Sequence, residues 1–237
     1  MNIVLPLEQI PTISISGTPG AGKSTAASLL AGRLNRGRTG QKVWYIESGF
    51  WYRALAYLHK TGKLYWDGKM DLNVVRNFDF VSFLCNGKNW ADIQHWDMDL
   101  PTAWLARNLD LRAIIEEKQK PFTENHLAKI IVGPKSADLK FYLHTDSHTG
   151  AMRRVQFHSL LGFDGDINVV ERLVDMRAEQ DNVRKVASVR ADKDGVISID
   201  TTELSPHQIM EIMFEKVWET ALSRQIALPA GPQIALV

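Results

Sequence analysis

The sequence predicts an α/β fold with a central parallel sheet, and three observations predict it. The alternating, β-branched run Thr12-Ile13-Ser14-Ile15-Ser16 leads through a glycine-rich turn into Thr25–Leu34, rich in Ala and Leu; this is strand, loop and helix. A second apolar run, Val43-Trp44-Tyr45-Ile46, reads as a short buried strand and precedes a helical stretch from Phe50 to Lys60. Late in the chain, Gly195–Asp200 reads as a last strand and Ile209–Ala221 as a last helix. Strand and helix repeated in alternation place the strands parallel, with ligands at their carboxyl ends.

The first turn carries the most specific signal. Gly17–Thr25, GTPGAGKST, fits the phosphate-binding pattern G-x-x-x-x-G-K-[ST] at Gly17, Gly22, Lys23 and Ser24. Gly17, Gly20 and Gly22 let the backbone approach a ligand closely. The amides of Thr18, Pro19's neighbours, Ala21 and Thr25, with the helix N-terminus, then aim partial positive charge at phosphate oxygens. Lys23 adds a full charge for the outer phosphates, and the Ser24 hydroxyl is a ligand for Mg²⁺. The loop predicts ATP binding and names no reaction by itself.

Composition narrows the remaining classes. The 237 residues are 45% apolar and 23% charged, ordinary for a globular protein, and Lys+Arg (28) balances Asp+Glu (27), so no basic field argues for nucleic acid. Cys85 is the single cysteine, which rules out an intrachain disulfide; it reads as a small buried apolar side chain. The N-terminal MNIVLPLEQIP lacks the pattern of a signal peptide and no apolar run reaches membrane-spanning length. The expectation is a cytoplasmic protein without a membrane partner.

After the second strand, Ile46–Tyr57 reads IESGFWYRALAY. This resembles the aspartate-[Ser/Thr]-Gly-x-x-Tyr-Arg stretch of bacterial-type cytidylate kinases, P-loop nucleoside monophosphate kinases. Glu47 stands for the aspartate, and Ser48, Gly49, Tyr52 and Arg53 match. The resemblance implies a three-layer P-loop fold with a small inserted monophosphate-binding region and a lid. It implies that Ser48 and Tyr52 line the acceptor pocket and that Arg53 binds the acceptor phosphate, where a guanidinium suits bidentate contact.

Further along, Phe78–Cys85, Asn86-Gly87 and Lys88–Gln94 read as a β-hairpin on a tight turn, in the place of the family's small β insert. Trp66, Trp90, Trp96 and Trp104 read as core, and Trp51 as core or a base-stacking group. Ala103–Lys120 has helical periodicity; its Arg112 resembles the family's base-contacting arginine, though spacing alone fits an exposed helix arginine equally. Lys129–Val132 and Leu139–Thr145 read as strands. The family's Gly-Arg-Asp before the second of these is missing; the chain has Asn125-His126-Leu127-Ala128-Lys129 and then Gly133-Pro134.

Thr145–Phe163 reads as a lid whose Arg153-Arg154 resembles the family's arginine pair, implying closure over the transferring phosphoryl group; His158 reads as surface. Arg177, Asp181 and Arg184, spaced by four and three, share one helix face, and the resemblance makes them acceptor ligands. Ser205-Pro206-His207-Gln208 is a capping box ahead of the last helix, and Leu222–Val237 reads as a loose tail. The expected organisation is one domain, 11–222: a core of 11–62 and 103–222, an insert at 63–102, a lid at about 146–165, and a tail at 223–237. The implied partners are ATP, Mg²⁺ and a pyrimidine monophosphate, CMP or dCMP, acting on a monomer or weak homo-oligomer.

Overall fold

A computed structural model describes residues 4–66, 69–86, 90–124, 126, 128–182 and 195–227. Five strands form one sheet: β1 (Ile13–Gly17), β2 (Trp44–Glu47), β5 (Lys129–Val132), β6 (Leu139–His144) and β7 (Val196–Asp200). Their order is β2-β5-β1-β6-β7, and every neighbouring pair is parallel. The α/β fold with a parallel sheet is thus present, and it is flanked by helices as a P-loop kinase fold requires. β1 lies at the centre, so the glycine-rich turn leaves from the middle of the sheet's carboxyl edge. β3 (Tyr65–Trp66) and β4 (Lys69–Met70) pair separately as a small antiparallel ribbon.

Two apolar clusters hold this frame. In the first, α1 (Lys23–Asn35) and α10 (Pro206–Ala227) cover one side of the sheet. Ile209, Met213, Val217 and Ala221 of α10, four residues apart, are buried with Ala27, Leu30 and Leu34 of α1 and with Phe141 and Leu143 of β6. Serine and glutamine cap α10 reciprocally: Ser205 N–H donates to Gln208 Oε1 at 2.9 Å and Gln208 N–H to Ser205 Oγ at 3.4 Å. The helix continues through Ala227, so Leu222–Ala227 is not a loose tail; residues 228–237 lie outside the described residues.

The second cluster joins α2 (Gly49–Lys60), α6 (Asp99–Leu105) and α7 (Leu109–Glu124). The single helix expected over Ala103–Lys120 is broken at Ala106–Asn108. Asn108 is the reason: its Oδ1 accepts from Leu111 N–H at 3.0 Å and starts a new helix. Asn108→Ala should therefore cost about 1 kcal/mol, read as a fall of about 2–4 °C in melting temperature.

The stretch expected as the insert, 63–102, is mostly helical, and its described residues form no hairpin at 78–94. After the β3–β4 ribbon come α3 (Leu72–Asn77), α4 (Phe80–Cys85) and α5 (Trp90–Gln94), followed by a 3₁₀ turn at Trp96–Met98. Asp79 caps α4 by accepting from Ser82 N–H at 3.0 Å, and Phe80, Phe83 and Leu84 share helical rather than alternating spacing. Gly87, half of the expected turn, lies outside the described residues.

Several side chains differ from expectation. Trp51 is buried, stacked on Phe80 at 4.9 Å, whereas Trp104 is 49% exposed and Trp44 of β2 is 47% exposed. Cys85 is exposed. His158 is buried, its Nε2 2.7 Å from Gln94 O, and burial pushes its imidazole down to about 4. It belongs to α8 (Ser147–Leu160), which packs on α9 (Ile167–Asn182) through Ala151, Val170 and Val174.

Candidate active site

The loop between β1 and α1 is set by backbone contacts that only glycine permits. Gly17 has φ +139°, and a Cβ there would stand 1.7 Å from Leu143 O of β6. Thr18 N–H donates to the same carbonyl at 3.0 Å, and Thr18 Oγ1 accepts from Thr145 N–H at 3.1 Å. α1 opens at Lys23 with no side chain capping its N-terminus, which leaves its first amides for an incoming anion. Lys23 folds back, donating from Nζ to Gly17 O at 3.0 Å and Thr18 O at 2.6 Å. Burial, reinforced by Arg177, pulls its ammonium down to about 8.

Ser24 faces solvent at the helix start and hydrogen-bonds the carboxylate of Glu47, which also accepts from Tyr45 Oη at 2.7 Å. Burial pushes the Glu47 carboxyl up; the hydrogen bonds from Ser24 and Tyr45 and the charges of Lys23 and Arg53 pull against it. Among the described residues no cluster of three His, Cys, Asp or Glu could cage a metal. One hydroxyl and one carboxylate beside a phosphate cradle are instead the sparse oxygen set that suits Mg²⁺, which keeps waters and takes substrate phosphates as ligands.

A pocket opens from this loop across the carboxyl edge. Gly17, Thr18, Pro19 and Lys23 line one end, and Glu47, Ser48 and Tyr52 line its floor. Ser48 is buried, its Oγ donating to Val132 O at 2.6 Å. The adjacent Gly133 has φ +138° and leaves only 2.2 Å between a would-be Cβ and Ser48 Oγ. Arg112 and Lys135 line the far wall. Arg112 is buried rather than an exposed helix arginine; both cations pair with Glu116, at 3.3 and 3.2 Å. Thr102 also lines the pocket, and its Oγ1 is buried without a hydrogen-bond partner among the described residues.

Arg177 and Asp181 close the remaining side, their side chains 3.8 Å apart. Behind Arg177 stands a cluster that the sequence only half announces. Arg53 of α2, Arg154 of α8 and Arg177 of α9 all pair with Asp99, the first residue of α6, which is 1% exposed. Arg177 Nη1 lies 2.7 Å from Asp99 Oδ1, and Arg53 shares that oxygen while Arg154 holds Oδ2. Burial alone would raise the Asp99 carboxyl, but Arg154, Arg53 and Arg177 hold it well below the usual carboxylate range.

The arginine pair expected on the lid is split. Consecutive helix residues point about 100° apart, and Arg153 turns away from Arg154 to the strand–helix turn after β7. There it donates to Thr201 O at 2.7 Å, Thr202 O at 3.2 Å and Leu204 O at 3.3 Å. Thr201 in turn donates through Oγ1 to Ala21 O of the loop at 3.3 Å. Arg153 therefore braces the loop from outside instead of joining the cluster. Gly20 meets the first turn of α8 at Gly150, where a Cβ would come within 2.4 Å. Gly22 caps α1, Thr25 lies exposed in its first turn, and Arg184 lies outside the described residues.

Comparison with known proteins shows the family. A family model described as Cytidylate kinase matches residues 13–219. Curated cytidylate kinases are similar over most of the chain. That of Mesomycoplasma hyopneumoniae (strain 232) is 26% identical, covering 92% of this chain and 99% of its own length. That of Thermotoga sp. (strain RQ2) is 28% identical, covering 87% and 96%. That of Listeria innocua serovar 6a is 25% identical, covering 83% and 91%.

Proposed function

The chain belongs to the cytidylate kinase family, and from that premise we propose that it moves the γ-phosphate of ATP onto a pyrimidine nucleoside monophosphate, CMP or dCMP, giving CDP or dCDP. The carrying observation is that the glycine loop with Lys23, the pocket over Ser48 and Tyr52, and the guanidinium of Arg177 converge on one edge of the sheet. Phosphoryl transfer asks a protein for position and for charge opposite the moving group, and forms no bond to it.

In this reading the loop from Gly17 to Thr25 holds the triphosphate and Lys23 neutralises charge on the transferred group. Ser24 and Glu47 would hold Mg²⁺, which would supply positive charge opposite the phosphates. Arg177 faces the acceptor phosphate with Arg53 and Arg154 behind it, Asp181 faces the sugar, and Arg112 the base. Arg153 acts through the loop it braces; Arg184, outside the described residues, is assigned to the acceptor by the family resemblance alone. Residues 63–102 form the acceptor-binding insert and about 146–165 the lid. The protein works in the cytoplasm as a monomer or weak homo-oligomer; no helix among the described residues is long and apolar enough to cross a membrane.

A coupled assay over CMP, dCMP, UMP, AMP and GMP tests this. CMP and dCMP should be accepted best, and transfer only to other monophosphates would remove the cytidylate assignment. One observation favours a second reading, a kinase for a different base. The pocket wall continues from Gly133-Pro134 into Lys135, a cation, and a cation cannot accept a hydrogen bond from an exocyclic amine. Strong preference for UMP in the same assay would support it.

A further inference from the structure

We propose that Asp99 is a positioning residue for phosphoryl transfer: a buried anion that gathers Arg53, Arg154 and Arg177 from three separate helices into one receptor for the acceptor phosphate. The inference rests on the kinase reading and adds a residue that reading does not contain.

Three guanidiniums side by side in a partly dry site disfavour one another, and each long side chain has many other rotamers open to it. Arg53, Arg154 and Arg177 nonetheless converge, with side chains only 11%, 14% and 22% exposed. What they share is one carboxylate. Its two oxygens are fully engaged, Oδ1 by Arg53 and Arg177 and Oδ2 by Arg154. Arg53 is further fixed by donating to Ile93 O at 2.8 Å.

Charge and geometry then point outward. One carboxylate among three guanidiniums leaves two positive charges, offset in part by Asp181, 3.8 Å from Arg177 Nε; the remaining positive charge suits a phosphate monoester. The donors are not used up: Arg154 Nε is buried and makes no hydrogen bond among the described residues, and Arg177 Nε has Asp181 Oδ2 at 3.8 Å, beyond hydrogen-bond distance. Such groups are costly unless a ligand satisfies them. Arg177 lines the pocket directly, and so does Thr102, one turn beyond Asp99 on α6. Asp99 does not line the pocket, and neither do Arg53 and Arg154, which stand behind Arg177; Asp99 acts through the arginines.

The placement also links the insert to the reaction. Asp99 begins α6 at the end of the insert, while its partners come from α2, α8 and α9. A shift of α6 moves the anchor of all three.

Asp99→Asn, which keeps the shape and removes the charge, is the test, with initial rates measured against acceptor and ATP separately. The acceptor KM should rise about tenfold or more, the scale of hydrogen bonds to charged groups, while the ATP KM stays within about twofold. An unchanged acceptor KM overturns the proposal. So does a lower one, which would make Asp99 a competitor for the phosphate. So does a proportional change in both KM values with the melting temperature, the mark of a general structural role.

If Asp99→Asn does not fold, the double variant Asp99→Asn/Arg154→Gln removes one like charge along with the anion. At a near-native melting temperature its acceptor KM should lie above that of Arg154→Gln alone; an acceptor KM equal to that of Arg154→Gln alone overturns the proposal. If the wild type transfers to no monophosphate, the reaction reading fails separately. The inference is then read from inorganic phosphate, with the loop filled by a non-hydrolysable ATP analogue. Its dissociation constant should rise about tenfold in Asp99→Asn, and no change overturns the proposal.

Discussion

Lys23→Met should lower kcat for transfer to CMP by at least about a hundredfold, the scale set by removing one preorganised donor at a developing charge, without lowering the melting temperature at pH 7. The two halves of this expectation have one cause. In the free protein Lys23 is a cation spent on two backbone carbonyls, Gly17 O and Thr18 O, with Arg177 and Arg154 adding repulsion and Asp181 and Glu47 attraction. Burial dominates, and its ammonium sits near 8 rather than at the usual lysine value. Holding a proton there costs stability, and the folded state gives that proton up before the unfolded chain does. The unfolded chain therefore binds more protons between pH 8 and 10.5, and the sign of the linkage is that stability rises with pH across this window. Methionine has nearly the same length and no charge, so the variant escapes that cost below pH 8 and loses its advantage toward pH 10.5.

Function has the opposite sign. A triphosphate at the loop supplies the counter-charge that Lys23 lacks, so ATP binding should draw a proton onto the protein between about pH 8 and 9. Calorimetry in buffers of differing ionisation enthalpy reads that uptake directly, and it should vanish in Lys23→Met. For the wild type, kcat/KM for ATP should fall as pH rises through about 8, because that ratio reports the free enzyme. A wild-type profile flat to pH 10, with a variant of undiminished kcat, would remove Lys23 from the transfer step.

How much of this was legible in the sequence depends on the range of the signal. The loop, the strands β1, β5, β6 and β7, and the capping box at Ser205–Gln208 are written in neighbours a few residues apart, and each lies where the pattern puts it. Asn86-Gly87 is an equally local signal, yet the described residues of 78–94 are helical on both sides of it. There Asp79 caps a helix and Phe80 finds Trp51, a contact across the second core that a turn dipeptide cannot foresee. Asp99 is the clearest case of the illegible. Asp97 and Asp99 stand two apart in one polar-aromatic stretch, but Asp97 meets Lys60 at the surface whereas Asp99 is buried under arginines from α2, α8 and α9. The arginines were nominated by motif; the anion that collects them has no motif. His158 is similar, since the partner that buries it, Gln94 O, comes from the insert.

Gly17→Ala should be the most damaging single methyl group in the chain, and Gly32→Ala the control that reverses its sign. At Gly17 the added Cβ would stand 1.7 Å from Leu143 O, 2.6 Å from Leu143 C and 2.7 Å from Leu143 N. All three are backbone atoms of β6, which is hydrogen-bonded along β1 up to the Gly17–Leu143 pair. No rotamer can relieve such a contact, so the two central strands must part at the edge where the loop begins. The φ of +139° adds backbone strain for any L side chain. Together these should cost about 3 kcal/mol or more, a fall of roughly 6–12 °C in melting temperature at this chain length. Nucleotide affinity should fall further than stability, because Thr18 N–H donates to the very carbonyl that is displaced. Gly32, inside α1, has nothing within 4 Å of its would-be Cβ and no unusual φ. Alanine there should stabilise by about 0.5–1 kcal/mol through helix propensity. If both variants melted like the wild type, Leu143 O would not lie against Gly17, and the strand that launches the phosphate loop would be differently placed.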